Sequence, residues 1–440
     1  MSGPRATAVA AICAATALGV LVRPGAVSRA VPAGGEPWTQ PPAAPAGGRV
    51  LPPGADLAAA LAAAAPGDVL LLSPGQYAGP LEVDRPVTLW GPRDAVIRSA
   101  GAGTTIRVTA AATLMGFTVD GSGGRYDTMD AAVKVTADDV VLDGLRLSGA
   151  LFGLLAERCH RLTMRRCEVL GVRDEAVGMR GDGIRLWEVR GSTVEQCRVE
   201  YGRDLVIWYS PGNRIAHNLV ERGRYGTHLM YSHDNEIVGN SYRDNLVGIF
   251  LMYSRRLKVE GNLLADSSGA SGMGLGLKES GDIEAARNVF LRNSIGLFLD
   301  TSPLQRGCSN RFTENVFRLG QVGVVFHSSP TRNHFERNSF RDNAQQVRVD
   351  GRGDALGIEW TQNHFDDYAG YDLDGDGVGD VPYELRSLSG QLIGRRPELQ
   401  FFRGTLALEL IDVAARVSPL LQPRAILVDR RPRMAPAETD

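Results

Sequence analysis

The chain has 440 residues, with 48 lysines and arginines against 50 aspartates and glutamates, for a formal net charge of −2. So balanced a charge leaves no electrostatic footprint for nucleic acid, which is not expected as a partner. The 52 glycines favour many tight turns, and the charged residues are mostly isolated arginines and aspartates rather than helix-forming runs.

Residues 1–30 form a separate object. Arg5 precedes the uncharged run "ATAVAAICAATALGVLV", and Ser28-Arg29-Ala30 places small residues at the −3 and −1 positions of a cleavage site. This is the pattern of an export signal, although the apolar run is also long enough to remain as an anchor. Residues 31–48, "VPAGGEPWTQPPAAPAGG", have linker composition. Next comes "DLAAALAAAAPGD", residues 56–68, an alanine-rich helix ended by Pro66-Gly67. It is placed to cap whatever stack follows.

From there the chain repeats about every 23 residues. One column of small or amide residues runs Gly91, Gly116, Gly144, Cys167, Cys197, Asn218, Asn240, Asn262, Asn288, Asn315, Asn338 and Asn363. Three residues before it stands an apolar column (Val194, Ile215, Ile237, Val259, Ala285, Phe312, Phe335, Trp360). Two residues after it stands another (Val199, Val220, Tyr242, Leu264, Phe290, Phe317, Phe340, Phe365). Short β-branched and aromatic strands with this period predict an all-β chain: a single-domain right-handed parallel β-helix of about a dozen coils over residues 49–370. The asparagines are expected to bond to one another up the column. Of the cysteines, Cys13 lies in the signal, and Cys159, Cys167, Cys197 and Cys308 form no C-x-x-C pair. Cys167 and Cys197 read as buried spacers, with a disulfide between neighbours left open in an exported chain.

A second strand in each unit reads "GTHLMYS", "GIFLMYS", "GLGLKES", "GLFLDTS" and "GVVFHSS". Its apolar alternation turns Leu229, Leu251, Leu277 and Leu299 inward, so the residues between them face out. Outward fourth positions are then Trp187, Trp208, Met230, Met252, Lys278, Asp300 and His327. Outward second positions are Arg185, Val206, His228, Phe250, Gly276, Phe298 and Val325. Adjacent coils stack about 4.8 Å apart, which sets Met230 beside Met252 with His228 two residues along the same face. Thioether and imidazole donors without thiolate or carboxylate suit Cu(I), with His233 in the following turn as a further donor. Binding would then weaken as pH falls through the histidine range. The strip also reads as a docking surface through Trp187, Trp208, Phe250, Phe298 and His327. The two readings are compatible, since a metal passed between proteins must sit at an interface.

Within residues 371–384, Asp372, Asp374, Asp376 and Asp380 fall at positions 1, 3, 5 and 9 of a calcium-type loop with Gly377 at the sixth. Tyr383 stands at position 12, with Glu384 one place late, and no helix flanks the loop. This suggests a structural calcium ion rather than a sensor. In the tail, residues 385–440, the stretch 404–423 is an amphipathic helix with Leu406, Leu410, Val413 and Val417 at helical spacing. It either caps the stack or reaches a membrane partner.

The coils, the "GIFLMYS"-type strands and above all the ending "DDYAGYDLDGDGVGDVPYE" resemble the NosD family, periplasmic maturation proteins of nitrous oxide reductase, over essentially the full length. The resemblance implies a periplasmic, non-enzymatic protein. Its expected partners are an ABC transporter (membrane and ATPase subunits), a copper chaperone and nitrous oxide reductase, whose copper–sulfur centre they help assemble. It does not say which residues meet copper. The rival is a polysaccharide-binding or polysaccharide-cleaving β-helix. Cleavage needs paired carboxylates or a base beside calcium or arginine, and Lys278 and Asp300 supply only one carboxylate to the strip.

Overall fold

The computed structural model describes residues 36–350, 353–402, 405–417 and 423–436. The signal expected over residues 1–30 and the first part of the linker lie outside them. The described chain is a parallel β-helix whose coils stack into sheets of 14, 13 and 12 strands. One coil illustrates the pattern: Tyr225–Met230 joins the 12-stranded sheet, Glu236–Val238 the 14-stranded sheet and Ser241–Arg243 the 13-stranded sheet. The chain then enters the next coil at Val247–Met252.

The repeat columns become the core. Phe290, Phe317, Phe340 and Phe365 stack at 4.5, 4.9 and 5.0 Å between ring centroids, and Tyr383 closes the stack at 3.9 Å. Such large rings fit because the facing strand has glycine as its second residue. A Cβ on Gly226 would lie 2.4 Å from the Tyr242 ring and 2.5 Å from the Gly248 carbonyl oxygen. The asparagines form a buried ladder in which each Oδ1 accepts from the backbone and side-chain N–H of the coil before it, as from Asn262 to Asn288 (2.9 Å each). One buried backbone donor per coil is thereby satisfied from Cys197 to Asn338. Cys197 joins the ladder through its backbone N–H to Asn218 Oδ1, at 2.9 Å. Cys159, Cys167, Cys197 and Cys308 are all free and buried, so the open disulfide reading is settled as thiols. Burial pushes the Cys159 thiol up to about 12.

Both ends are closed. At the start, α1 (Leu57–Ala62) is capped by Asp56, whose side chain accepts from the Ala59 N–H, and buries Leu57, Ala60 and Leu61. It is shorter than the alanine-rich stretch because Pro66-Gly67 follows so soon. The stretch expected to be a linker lies along the coils over residues 36–48. Trp38 is buried, and Trp90 Nε1 donates to the Pro42 carbonyl at 2.9 Å. Linker composition overlooked it because the sequence contains just one aromatic anchor there. At the far end the antiparallel strands Tyr383–Arg386 and Ala425–Asp429 bring Tyr383 and Leu427 into the core. Asp429 takes the last place in the ladder, its Oδ2 accepting from the Asn363 N–H and Nδ2 at 3.0 and 2.9 Å. Between those strands, α2 (Leu388–Arg395) and α3 (Leu406–Val417) form a hairpin. Asp412 of α3 accepts from the Leu388 and Ser389 amides at the start of α2. The tail helix packs on α2, and the two strands carry the residues that enter the core. Leu408 and Ala415 are buried, while Leu406, Leu410 and Val413 face solvent.

Candidate soft-metal face

The register of the 12-stranded sheet places Leu229, Leu251, Leu277 and Leu299 in one fully buried column. Beside it, Trp187, Trp208, Met230, Met252, Lys278, Asp300 and His327 stand in the outward row, partner to partner. His228 aligns with Val206 on one side and Phe250 on the other.

The row is less open than its outward direction suggests. Met230, Met252, Trp187, Trp208, Phe250 and Phe298 are half-buried, and of the docking set only His327 is exposed. Val206 and Val325 are buried, yet lie outside the inner core, because neighbouring side chains close over them. His228 is just 6% exposed. Its ring sits among Tyr225 (centroids 4.8 Å), Trp208 (5.4 Å, edge-on) and Phe250 (6.1 Å).

Inside this cage His228 Nε2 lies 3.3 Å from Met252 Sδ. Its Nδ1 is buried with no hydrogen-bond partner, as is Trp208 Nε1. Burial pushes His228 down to about 4, so the ring is neutral over the ordinary histidine range. The expected loss of metal with falling pH therefore moves to more acidic conditions than an exposed histidine would give. A neutral imidazole nitrogen beside a thioether, with no carboxylate or thiolate at the contact, fits a soft monovalent ion better than a hard divalent one. With Nε2 as the lone-pair nitrogen facing Met252, the ring proton sits on Nδ1, buried without an acceptor. Met230 is the in-register neighbour of Met252. His233 is held apart: its Nδ1 accepts from the Arg255 amide at 3.1 Å, in the turn beyond the strand. Burial lowers it as well, helped by the Arg256 guanidinium.

Several residues of this face were missed in the sequence. Tyr225 stacks on Phe250 at 5.6 Å, and Arg224 lies 4.7 Å above the Tyr225 ring. Arg224 in turn grips the buried Asp204 through Nε at 3.0 Å. Arg185, already placed in the outward row, lies over both Trp187 (5.3 Å) and Trp208 (4.8 Å) and pairs with the buried Asp182. Tyr209, Tyr231 and Tyr253 stack at 5.4 and 4.9 Å along the edge of the strip, each with a positive φ. The signal was present as the tripeptides Trp208-Tyr209-Ser210, Met230-Tyr231-Ser232 and Met252-Tyr253-Ser254, in which the tyrosine always follows the outward residue.

In the acidic loop, carboxylate oxygens of Asp372, Asp374 and Asp376 come within 4.8 Å of one another. Asp380 instead accepts from the Leu373 amide at 2.7 Å. Gly377, at φ 82°, takes the left-handed turn that the sixth position requires. Amides of Gly377 and Gly375 hold the Asp372 carboxyl below the usual range.

Residues 160–370, which include the soft face, match the family described as "Periplasmic copper-binding protein (NosD)". A "Probable ABC transporter binding protein NosD" of Pseudomonas aeruginosa is 30% identical over 381 residues, covering 80% of this chain and 85% of that protein. The chain belongs to the NosD family. A NosD of the same description from Stutzerimonas stutzeri is 29% identical, over 80% of this chain and 83% of its own. Among solved structures, the catalytic unit of a GH87 α-1,3-glucanase from Streptomyces thermodiastaticus superposes with a TM-score of 0.58 at 17% identity, covering 70% of this chain and 68% of that one. At that identity the likeness is one of fold. The family is periplasmic by its description, and no helix among the described residues is long and apolar enough to cross a membrane.

Proposed function

We propose that this member of the family is an accessory protein for assembling the copper–sulfur centre of nitrous oxide reductase, and that its cargo is Cu(I) held at His228 and Met252 with Met230 alongside. The observation that carries this is the contact of His228 Nε2 with Met252 Sδ, at 3.3 Å, with the imidazole buried in its aromatic cage. Bound there, the ion would gain soft and borderline donors in a cage that excludes water. Half-exposed Met230 and the surrounding strip give a donor or acceptor protein, such as a copper chaperone, a place to meet the ion. The relatives' description as ABC transporter binding proteins supports a transporter (membrane and ATPase subunits) as partner. The exposed apolar residues Phe401, Phe402, Leu406, Leu410 and Val413 of the tail suit contact with its membrane subunit. Asp372, Asp374 and Asp376 are proposed to hold a structural calcium ion.

This role is non-enzymatic. A carbohydrate ligand stacks on aromatic faces, but the tyrosine column is stacked on itself and turns ring edges outward. The Trp187 and Trp208 rings are engaged by one another and by Arg185. The test replaces Met230 and Met252 by leucine, which keeps apolar area and removes both sulfurs. Cells carrying the double variant should accumulate nitrous oxide reductase lacking its catalytic copper while the transporter still co-purifies. Intact maturation would reduce the face to a docking surface.

A further inference from the structure

We propose that Gly276 is a positioning residue for the His228–Met252 site, acting through Phe250. It opens a slot in the outward face into which the Phe250 ring settles, clear of the imidazole and the thioether. This rests on the Cu(I) reading above and adds a residue that touches neither donor.

In register, Gly276 lies between Phe250 of the preceding coil and Phe298 of the next. Its place in the strand Met273–Lys278 is ordinary extended backbone, so no left-handed conformation calls for glycine. Glycine inside a strand weakens it and marks a close approach by something else. Here the approach is measurable. A Cβ on Gly276 would lie 2.4 Å from Phe250 Cδ2, 2.6 Å from Cε2 and 2.7 Å from Met273 Sδ. Carbon atoms pack at about 3.5–4.0 Å, so a methyl group there would force the ring up by about 1 Å.

The ring has few directions in which to yield. Met273 Sδ occupies one side of the slot, and Phe298 fills the same row in the next coil. Above it Tyr225 is stacked at 5.6 Å with planes 16° apart, and His228 lies at 6.1 Å. A displaced ring therefore moves toward the His228 cage and the contact with Met252. Every other coil of this row between Arg185 and Val325 carries a side chain here; Gly276 is the exception, and it stands directly beside Phe250, one of the three rings around His228.

The experiment uses the full exported chain and reads Cu(I) affinity by competition with the colorimetric chelator bicinchoninate. Gly276→Ala should weaken binding at least tenfold. In metal-free protein carrying ¹³C-methyl methionine, it should shift the Met252 and Met273 methyl resonances. The comparison of Gly276→Ala/Phe250→Leu with Phe250→Leu alone isolates the coupling: once the ring is gone, the added methyl should have no further effect on affinity. If Gly276→Ala fails to fold, recovery of the fold in the double variant supports the slot, and loss of the fold in both overturns it. Wild-type affinity in Gly276→Ala, with binding abolished by His228→Ala, overturns the role of Gly276 and leaves the copper site standing. Wild-type affinity in His228→Ala removes the copper site itself.

Discussion

Asn288→Ala tests whether the asparagine ladder is what holds the coils in register. Asn288 is fully buried, and its Oδ1 accepts from the Asn262 backbone and side-chain N–H at 2.9 Å each. Its Nδ2 donates to the Val259 carbonyl at 2.9 Å and to Asn315 Oδ1 at 3.0 Å. Alanine leaves two donors of Asn262 unsatisfied and strips one partner from each of the two acceptors, in a place water cannot reach without a cavity. Each orphaned buried group costs about 1–3 kcal/mol, so the two donors alone set the expected loss at about 2–6 kcal/mol. Urea unfolding followed by far-UV circular dichroism, with the m-value checked for a retained single transition, measures it. The exposed Glu236→Ala, which removes one end of an ion pair with Arg214, serves as control and should change stability by no more than about 0.5 kcal/mol. A loss below about 1 kcal/mol for Asn288→Ala, with an unchanged m-value, would refute the ladder as a determinant of stability.

Three further outcomes follow from other parts of the structure. Burial raises the Asp429 carboxyl above its ordinary value, so its ionised form is disfavoured in the folded chain. Wild type should therefore lose stability relative to Asp429→Asn as pH rises from about 4 through the raised folded value, and a difference independent of pH would contradict this. Asp374→Ala should lower the melting temperature and abolish any response to chelator; a wild-type melting curve unaffected by chelator counts against calcium in the loop. Serine at Leu406, Leu410 and Val413 should reduce co-purification of the transporter while changing stability by no more than about 0.5 kcal/mol, because these side chains are exposed. Undiminished co-purification would send the contact elsewhere.

The fold was legible because a solenoid writes the same physical requirement once per coil. The Phe290–Phe317–Phe340–Phe365 stack and the asparagine ladder each appear in the sequence as one residue type at one recurring place. Alternation within "GIFLMYS" was enough to turn Leu251 inward and Met252 outward. What the alternation could not convey is cover. His228 points away from the core and is still buried, because Tyr225, Trp208 and Phe250 close over it from the same coil and its two neighbours. Direction follows from a period of two, whereas cover depends on side-chain rotamers across coils. The tail stayed open for a related reason: the helical spacing of Leu406, Leu410 and Val413 is genuine, but periodicity does not say whether an apolar stripe meets its own chain or a partner.

The most direct test is Cu(I) binding to the purified metal-free chain under anaerobic conditions, compared with His228→Ala and Met252→Leu. One Cu(I) per chain is expected in the wild type, with binding weakened at least tenfold in each variant and the far-UV circular dichroism spectrum of the wild type retained. The same stoichiometry and affinity in all three proteins would contradict the His228–Met252 contact as the place where copper is held.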